Sequence, residues 1–309
     1  QMAKIIAYIK IARIDHWIKN AFVLPGVACA LFLDSTISKE KLLLRVCIAL
    51  LAAGLVASSN YVLNEILDAN NDKKHPVKNN RPIPSGLVNI PAAYAEWIIL
   101  AILGLSISLF IGKSFFFSGV LLWVMGCVYN IPPIRSKEKA YIDVLSESIN
   151  NPIRFLMGWY AMGTNLIPPV SILFSYWMIG AFFMAVKRLA ELRTIGDKKV
   201  AQAYRSSFAH YNEERLLISI LFYVSMFSLF FGVFLMRYRI ELILSIPFIA
   251  GFISWYMELG FKKNSSTQYP EKLYKEISFI IYTLFCTILI LVLLFVDFPI
   301  VGKFFQKQV

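Results

Sequence analysis

Residues 42–72 read LLLRVCIALLAAGLVASSNYVLNEILDANND, an apolar run over 42–67 whose end carries Asn64, Asp68 and Asp72. The run is longer than the roughly 20 residues a helix needs to cross the hydrocarbon core of a bilayer. A helix is the form open to it. An open sheet would leave backbone groups unpaired in lipid, and no barrel-like alternation is present. Eight further runs of this kind lie at 20–37, 92–112, 114–132, 142–162, 168–187, 216–236, 239–259 and 277–298. The expected fold is therefore all-α, a polytopic integral membrane protein of about nine transmembrane helices.

Composition supports this reading. Of 309 residues, 58% are hydrophobic and 16% charged, against about 25% charged in soluble domains. A net charge of +12 would suit nucleic acid, but the cations gather in the segments between apolar runs, the pattern of membrane topology. With the N-terminus in the cytoplasm, the five inner segments hold 22 of the 31 Lys and Arg residues and the outer ones eight. The positive-inside rule then puts the C-terminus outside. No nucleic-acid partner is expected, and a bacterial inner membrane is the expected location.

The first 19 residues, interrupted by Lys4, Lys10, Arg13 and Lys19, show no cleavable small-residue site, so no signal peptide is expected. With Ile5, Tyr8, Ile9 and Ala12 on one side, 1–19 reads as an amphipathic interfacial helix. Residues 188–215 read as a charged cytoplasmic loop holding a surface helix. Cys29, Cys47, Cys127 and Cys286 sit singly inside apolar runs, so small core residues are expected in preference to zinc ligands or disulfides.

The chemistry lies at two polar clusters. Asn64, Asp68 and Asp72 are four residues apart and fall along one helix face. Carboxylates stacked this way at membrane depth repel each other, and a divalent cation relieves that. Magnesium suits the set, because it is held by one or two carboxylates together with phosphates and waters. A calcium loop starting at Asp68 is excluded, since Lys73 stands where glycine is needed and Asn79 where glutamate is needed. A solvated helix end with ordinary caps remains the plain alternative. The second cluster runs from Tyr129-Asn130-Ile131-Pro132-Pro133-Ile134-Arg135-Ser136-Lys137 into Asp143 and Glu147. Asn150 and Arg154 follow at nearly whole helical turns. Intramembrane ionisable residues are functional candidates, although Arg154 could simply neutralise Glu147. Acidic groups flanked by Lys19, Arg81, Lys137, Arg154, Lys187 and Arg188 describe a site for magnesium-bound diphosphate, whose departure the cations would ease. His16 and His75 are read as positioning residues beside it and His210 as a surface residue.

At these residues the sequence resembles the UbiA superfamily of intramembrane transferases. The resemblance implies one transmembrane domain over 1–309, nine helices around a cytoplasm-facing cavity, and two Asp-rich motifs for magnesium diphosphate. The first motif, Asn-Asp-x-x-Asp-x-x-x-Asp, is met with Glu65 in place of its first Asp, and Arg81-Pro-Ile-Pro-Ser-Gly86 follows. The second is met by Asp143-x-x-x-Glu147. Carried over, Asp68, Asp72 and Asp143 are the catalytic candidates, and Asn64, Asp68, Asp72, Asp143 and Glu147 the magnesium ligands. The substrate-binding candidates are Lys19, Asn64, Arg81, Tyr129, Lys137, Glu147, Arg154, Lys187 and Arg188.

Within that family, Trp17-Ile-Lys-Asn20, His75-Pro-Val-Lys-Asn-Asn-Arg-Pro82 and the spacing of Lys137, Asp143, Arg154 and Gly158 are similar to the decaprenyl-phosphate phosphoribosyltransferase branch. The Tyr129–Lys137 stretch looks instead like that of true prenyltransferases. Two transfers stay open: phosphoribosyl from phosphoribosyl pyrophosphate to a polyprenyl phosphate, or a prenyl chain from its diphosphate to an aromatic or lipid acceptor. A transporter or lipid-binding protein is a third reading. It would favour inverted repeats and midplane binding, whereas these charges sit at helix ends.

Overall fold

The computed structural model describes residues 2–73, 78–262 and 265–305, and every regular element among them is helical. The chain forms two compact units, residues 1–167 and 168–309. The boundary falls after Gly163, whose φ is +76°, and before Pro168 and Pro169, which precede the next helix.

In the first unit, α1 (Met2–Ile11) leads through a 3-10 stretch (Ile14–Val23) into α2 (Leu24–Leu33). The long α3 (Leu42–Asp72) is followed by α4 (Ile90–Ile111), α5 (Lys113–Asn130), α6 (Ile142–Ser148) and α7 (Asn150–Ala161). The expected interfacial helix over 1–19 is thus a ten-residue helix and a tighter turn. Its buried residues are Ala7, Ile11 and Ala12, whereas Ile5 and Ile9 are exposed. Ala7 and Ile11, one turn apart, pack against Val62, Ile66 and Ala69 of α3. Trp17 Nε1 donates to Ser58 Oγ (2.8 Å), and that hydroxyl donates to the Ala12 carbonyl (2.6 Å). These contacts tie the N-terminal segment to α3.

The crossing of α2 and α7 depends on two glycines. A Cβ at Gly26 would stand 2.0 Å from the Phe155 carbonyl oxygen, and one at Gly158 would stand 1.9 Å from that of Val23. Close backbone approach through small residues is how membrane helices gain packing energy without a hydrophobic driving force between them.

Among the described residues, seven helical segments are long and apolar enough to cross a membrane, the first being Ile5–Leu33. The count of nine is not reached by single helices. The expected span 142–162 is two helices that part at Ile149. Pro152 has no N–H to return to the Ser148 carbonyl, which weakens the ladder there. α5 spans only 18 residues and carries Lys113 and Asn130 at its ends.

The second unit contains α8 (Val170–Ile195), α9 (Lys198–Tyr204), α10 (Glu213–Tyr238), α11 (Ile246–Phe261), α12 (Ile277–Phe295) and α13 (Pro299–Phe305). The segment expected as a loop from 188 is helical to Ile195, because the buried stripe of Phe182, Ala185, Val186 and Leu189 carries on through Ala190. Gly196, at φ +70°, stops the helix. Asp197 then caps α9 by accepting from the N–H groups of Lys199 and Val200. All four cysteines are free, and Cys47 is exposed rather than in a core.

Candidate active site

The site is built on the last three turns of α3. Asn64 and Asp68 share a face, and Lys137 comes to both. Its Nζ lies 2.6 Å from Asp68 Oδ1, 3.2 Å from Asn64 Oδ1 and 2.9 Å from Asn130 Oδ1. Lys137 is only 6% exposed, so this ammonium depends on its three acceptors for what water would otherwise supply. The residues that carry it follow α5 as a short strap. Asn130 closes that helix with its Nδ2 on the Gly126 carbonyl (2.9 Å). Ser136 Oγ donates to Ser146 Oγ of α6 (2.8 Å), which fixes the strap on its other side.

Arg135 enters the same cluster, although sequence reading did not single it out. Its backbone is left-handed, φ 33°, a conformation that costs a residue with a Cβ and often marks functional sites. The guanidinium donates to Asp68 Oδ1 (3.0 Å) and to Glu138 Oε1 (2.5 Å). Asp68 therefore holds two cations on one oxygen. Asn130 was missed as well. The available signal for both was their place inside the Tyr129–Lys137 stretch.

Asp72, at the end of α3, is buried and accepts from Arg81 at 2.6 Å. Glu65 turns the other way. Its Oε1 accepts from the Ile83 N–H (3.2 Å), and its Oε2 lies 4.0 Å from Arg13. At the one position where this chain departs from the family's first motif, the carboxylate holds the segment that carries Arg81.

In the second cluster Asp143 is fully buried in the first turn of α6, and Glu147 is half-buried near its end. Arg154, 6% exposed on α7, does not pair with Glu147. Its Nε donates to Asn20 Oδ1 (3.2 Å) and its Nη1 reaches the Asn150 carbonyl (3.5 Å). Two neighbouring buried atoms, Asn20 Nδ2 and Asn150 Oδ1, make no hydrogen bond. Lys19 lies over the ring of Tyr61 at 5.9 Å, and His16 meets the same ring edge-on at 5.2 Å. Tyr61 stands one turn before Asn64 on α3, so Lys19 is held near that end of the site. Tyr129 is half-buried next to Asn130.

Lys187 and Arg188 belong to the second unit. Arg188 is 1% exposed and pairs with Glu191 at 2.8 Å. His75 lies outside the described residues. Among those described, no three acidic, histidine or cysteine side chains gather into a preformed metal cage. The arrangement is instead carboxylate beside cation: Asp68 with Lys137 and Arg135, and Asp72 with Arg81. That donor set fits a magnesium ion carried on phosphate, which needs only one or two carboxylates.

The same helical architecture is known. The chain superposes on a UbiA homolog from Archaeoglobus fulgidus, solved bound to GPP and Mg2+, with a TM-score of 0.69 at 20% identity, covering 92% of this chain and 99% of that one. The fold is thus that of an intramembrane protein of the UbiA type. The profile of the UbiA prenyltransferase family matches residues 22–284, and the chain belongs to that family of transferases. It is an integral membrane protein. It is 29% identical over 209 residues to the decaprenyl-phosphate phosphoribosyltransferase of Mycolicibacterium smegmatis, covering 66% of this chain and 64% of the relative. The protein of that name from Corynebacterium glutamicum is 30% identical over 195 residues, 60% of this chain and 54% of the relative. The chain thus spans less than two thirds of the length of either relative.

Proposed function

We propose that the protein displaces diphosphate at the cytoplasmic face of a bacterial inner membrane, moving the 5-phosphoribosyl group of phosphoribosyl pyrophosphate onto a polyprenyl phosphate. The observation that carries this reading is Arg154. It is a buried cation whose contacts are two asparagines rather than a carboxylate, beside two buried amide atoms that lack partners. Lys137, Arg135 and Arg81 already match a diphosphate, so Arg154 provides for a further anionic group. A phosphoribosyl donor has one, its 5-phosphate. The names of the relatives agree with this choice.

Asp68, Asp72 and Asp143, with Asn64 and Glu147, form the proposed magnesium set. Bound magnesium would neutralise the diphosphate oxygens as they leave. Lys137 and Arg135 swing from Asp68 to the diphosphate, and Arg81 from Asp72. Lys19 and Tyr129 line the approach on either side of Asn64. The bond from ribose C1 to the diphosphate oxygen breaks with its electron pair leaving on the diphosphate, and a phosphate oxygen of the lipid bonds to C1. The residues act by holding charge where it develops and by aligning the two reactants.

A second reading, transfer of a prenyl chain from its diphosphate, is favoured by the Archaeoglobus homolog's GPP. It uses the same carboxylates and leaves Arg154 without a task. Calorimetry separates the two. With magnesium present, phosphoribosyl pyrophosphate should bind more tightly than inorganic diphosphate, and Arg154→Gln should erase the difference. Equal affinity of the wild type for both would remove the phosphoribosyl assignment.

A further inference from the structure

α3 carries a cation of its own at the end far from the candidate site. Arg45 stands 23 positions before Asp68, which at 1.5 Å per residue is about 35 Å along the helix, enough to cross a hydrocarbon core about 30 Å thick. Unlike Arg13, Arg81 and Arg135, and like Arg154, it has no carboxylate within ion-pair distance among the described residues. Its one hydrogen bond is a long one, 3.4 Å from Nη1 to the Met162 carbonyl. Asp34, just after α2, is occupied with the hydroxyls of Thr36 and Thr164. Gly163 borders the guanidinium, since a Cβ added there would stand 4.0 Å from Nη1.

The guanidinium opens on a cleft of about 500 Å³. Its lining combines the hydroxyl residues Thr36 and Ser38 with the apolar Ile48, Phe110 and Ile111. Phe110 is 92% exposed, on a helix apolar enough to span the membrane. The cleft therefore has a polar end with a fixed positive charge and hydroxyls, and an apolar wall that runs into the bilayer. Lys39 and Lys41, with Glu40 between them, lie just before α3 and leave that segment with a net positive charge.

We propose that this cleft binds one anionic glycerophospholipid of the leaflet opposite the candidate active site, with its phosphate on Arg45 and an acyl chain along Phe110 and Ile111. A planar guanidinium grips a phosphate in two places, and the apolar wall supplies the contact that a free anion cannot use. An interfacial arginine that only snorkels to the headgroup layer would show no preference between anionic and zwitterionic lipids of equal chain length.

Native mass spectrometry of the purified full chain tests this with phosphatidylglycerol, phosphatidylcholine of the same chains, and inorganic phosphate. The wild type should retain one phosphatidylglycerol, with phosphatidylcholine at least tenfold weaker, and inorganic phosphate should leave the melting temperature unchanged. Arg45→Gln should cut phosphatidylglycerol retention at least tenfold, and Arg45→Lys should lie between. Phe110→Ala, a surface change that leaves folding intact, should weaken retention with the charge still in place, whereas Lys113→Gln should have no effect. Equal retention of both lipids by the wild type, or undiminished phosphatidylglycerol on Arg45→Gln, overturns the proposal. Stabilisation by inorganic phosphate alone would do so too, by making the site a simple anion site.

Discussion

Lys137 Nζ stands 2.6 Å from Asp68 Oδ1, joining residues 69 positions apart in the chain, and the same carboxylate oxygen also receives Arg135 at 3.0 Å. One carboxylate held by two cations is over-neutralised. A magnesium ion on Asp68 and a phosphate on the two cations would convert that crowded pair into two matched ones.

This arrangement makes Lys137 the most sensitive cation in the first unit. Lys137→Met removes a charge-assisted bond and leaves the Oδ1 atoms of Asn64 and Asn130 without their donor. One such bond contributes about 1.5–3 kcal/mol, so kcat/KM should fall about 10- to 150-fold. Steady-state kinetics on the folded variant read this directly, and an unchanged kcat/KM would separate Lys137 from the chemistry.

Arg154→Lys keeps the charge but loses the planar fork. Turnover should drop strongly and the donor's KM should rise, while the melting temperature stays near that of the wild type. Because Arg154 contacts Asn20 and Asn150 and not Glu147, the double change Glu147→Gln with Arg154→Gln should be folded and inactive. Recovery of activity in the double variant would mean that the arginine serves only to balance charge.

The first expected motif was legible because its spacing is local: Asn64, Asp68 and Asp72 share a face of any helix. What lay out of reach was which partner each acid takes, since Arg135, Lys137 and Asn130 arrive from another helix through a strap whose path depends on the left-handed turn at Arg135. The stripe of Asp143, Glu147, Asn150 and Arg154 assumed one continuous helix. The segment is two helices that part at Ile149, and Arg154 turns to Asn20 of the N-terminal segment. Lys187 and Arg188 suggest a loop by their charge, yet α8 runs on to Ile195. Burial of Leu189 and Ala190 carries the helix on.

The glycine crossing of α2 and α7 gives a stability test. Gly158→Ala would drive a methyl into the Val23 carbonyl, and overpacking of this kind costs about 1–3 kcal/mol. Arg154 lies one turn before Gly158 and bonds Asn20 at the entrance to α2, so activity should fall together with the melting temperature. Loss of neither would show that the two helices can part without consequence.

A pH dependence follows at the opposite end of the first unit, where the Thr164 hydroxyl, then the Thr36 hydroxyl and N–H, hold the Asp34 carboxyl below the usual range. A lowered folded value means that the stabilisation is present above the ordinary carboxylate pKa of about 3.9 and is lost as pH falls through the folded value. The melting temperature should therefore decline in acid more steeply for the wild type than for Asp34→Asn. Thr164→Val should lower the melting temperature at neutral pH and flatten the acid limb. Parallel acid limbs for wild type and Asp34→Asn would remove the assignment.

The central claim is tested most directly by the lipid product. Purified protein is incubated with magnesium, a polyprenyl phosphate and phosphoribosyl pyrophosphate labelled in the ribose, and in a parallel reaction with a labelled prenyl diphosphate and an aromatic acceptor. The account predicts label in a phosphoribosylated polyprenyl phosphate from the first reaction, abolished by EDTA and by Asp68→Asn or Asp72→Asn. Label appearing only in a prenylated acceptor from the second reaction, or a labelled lipid that forms undiminished in either Asp variant, would contradict it.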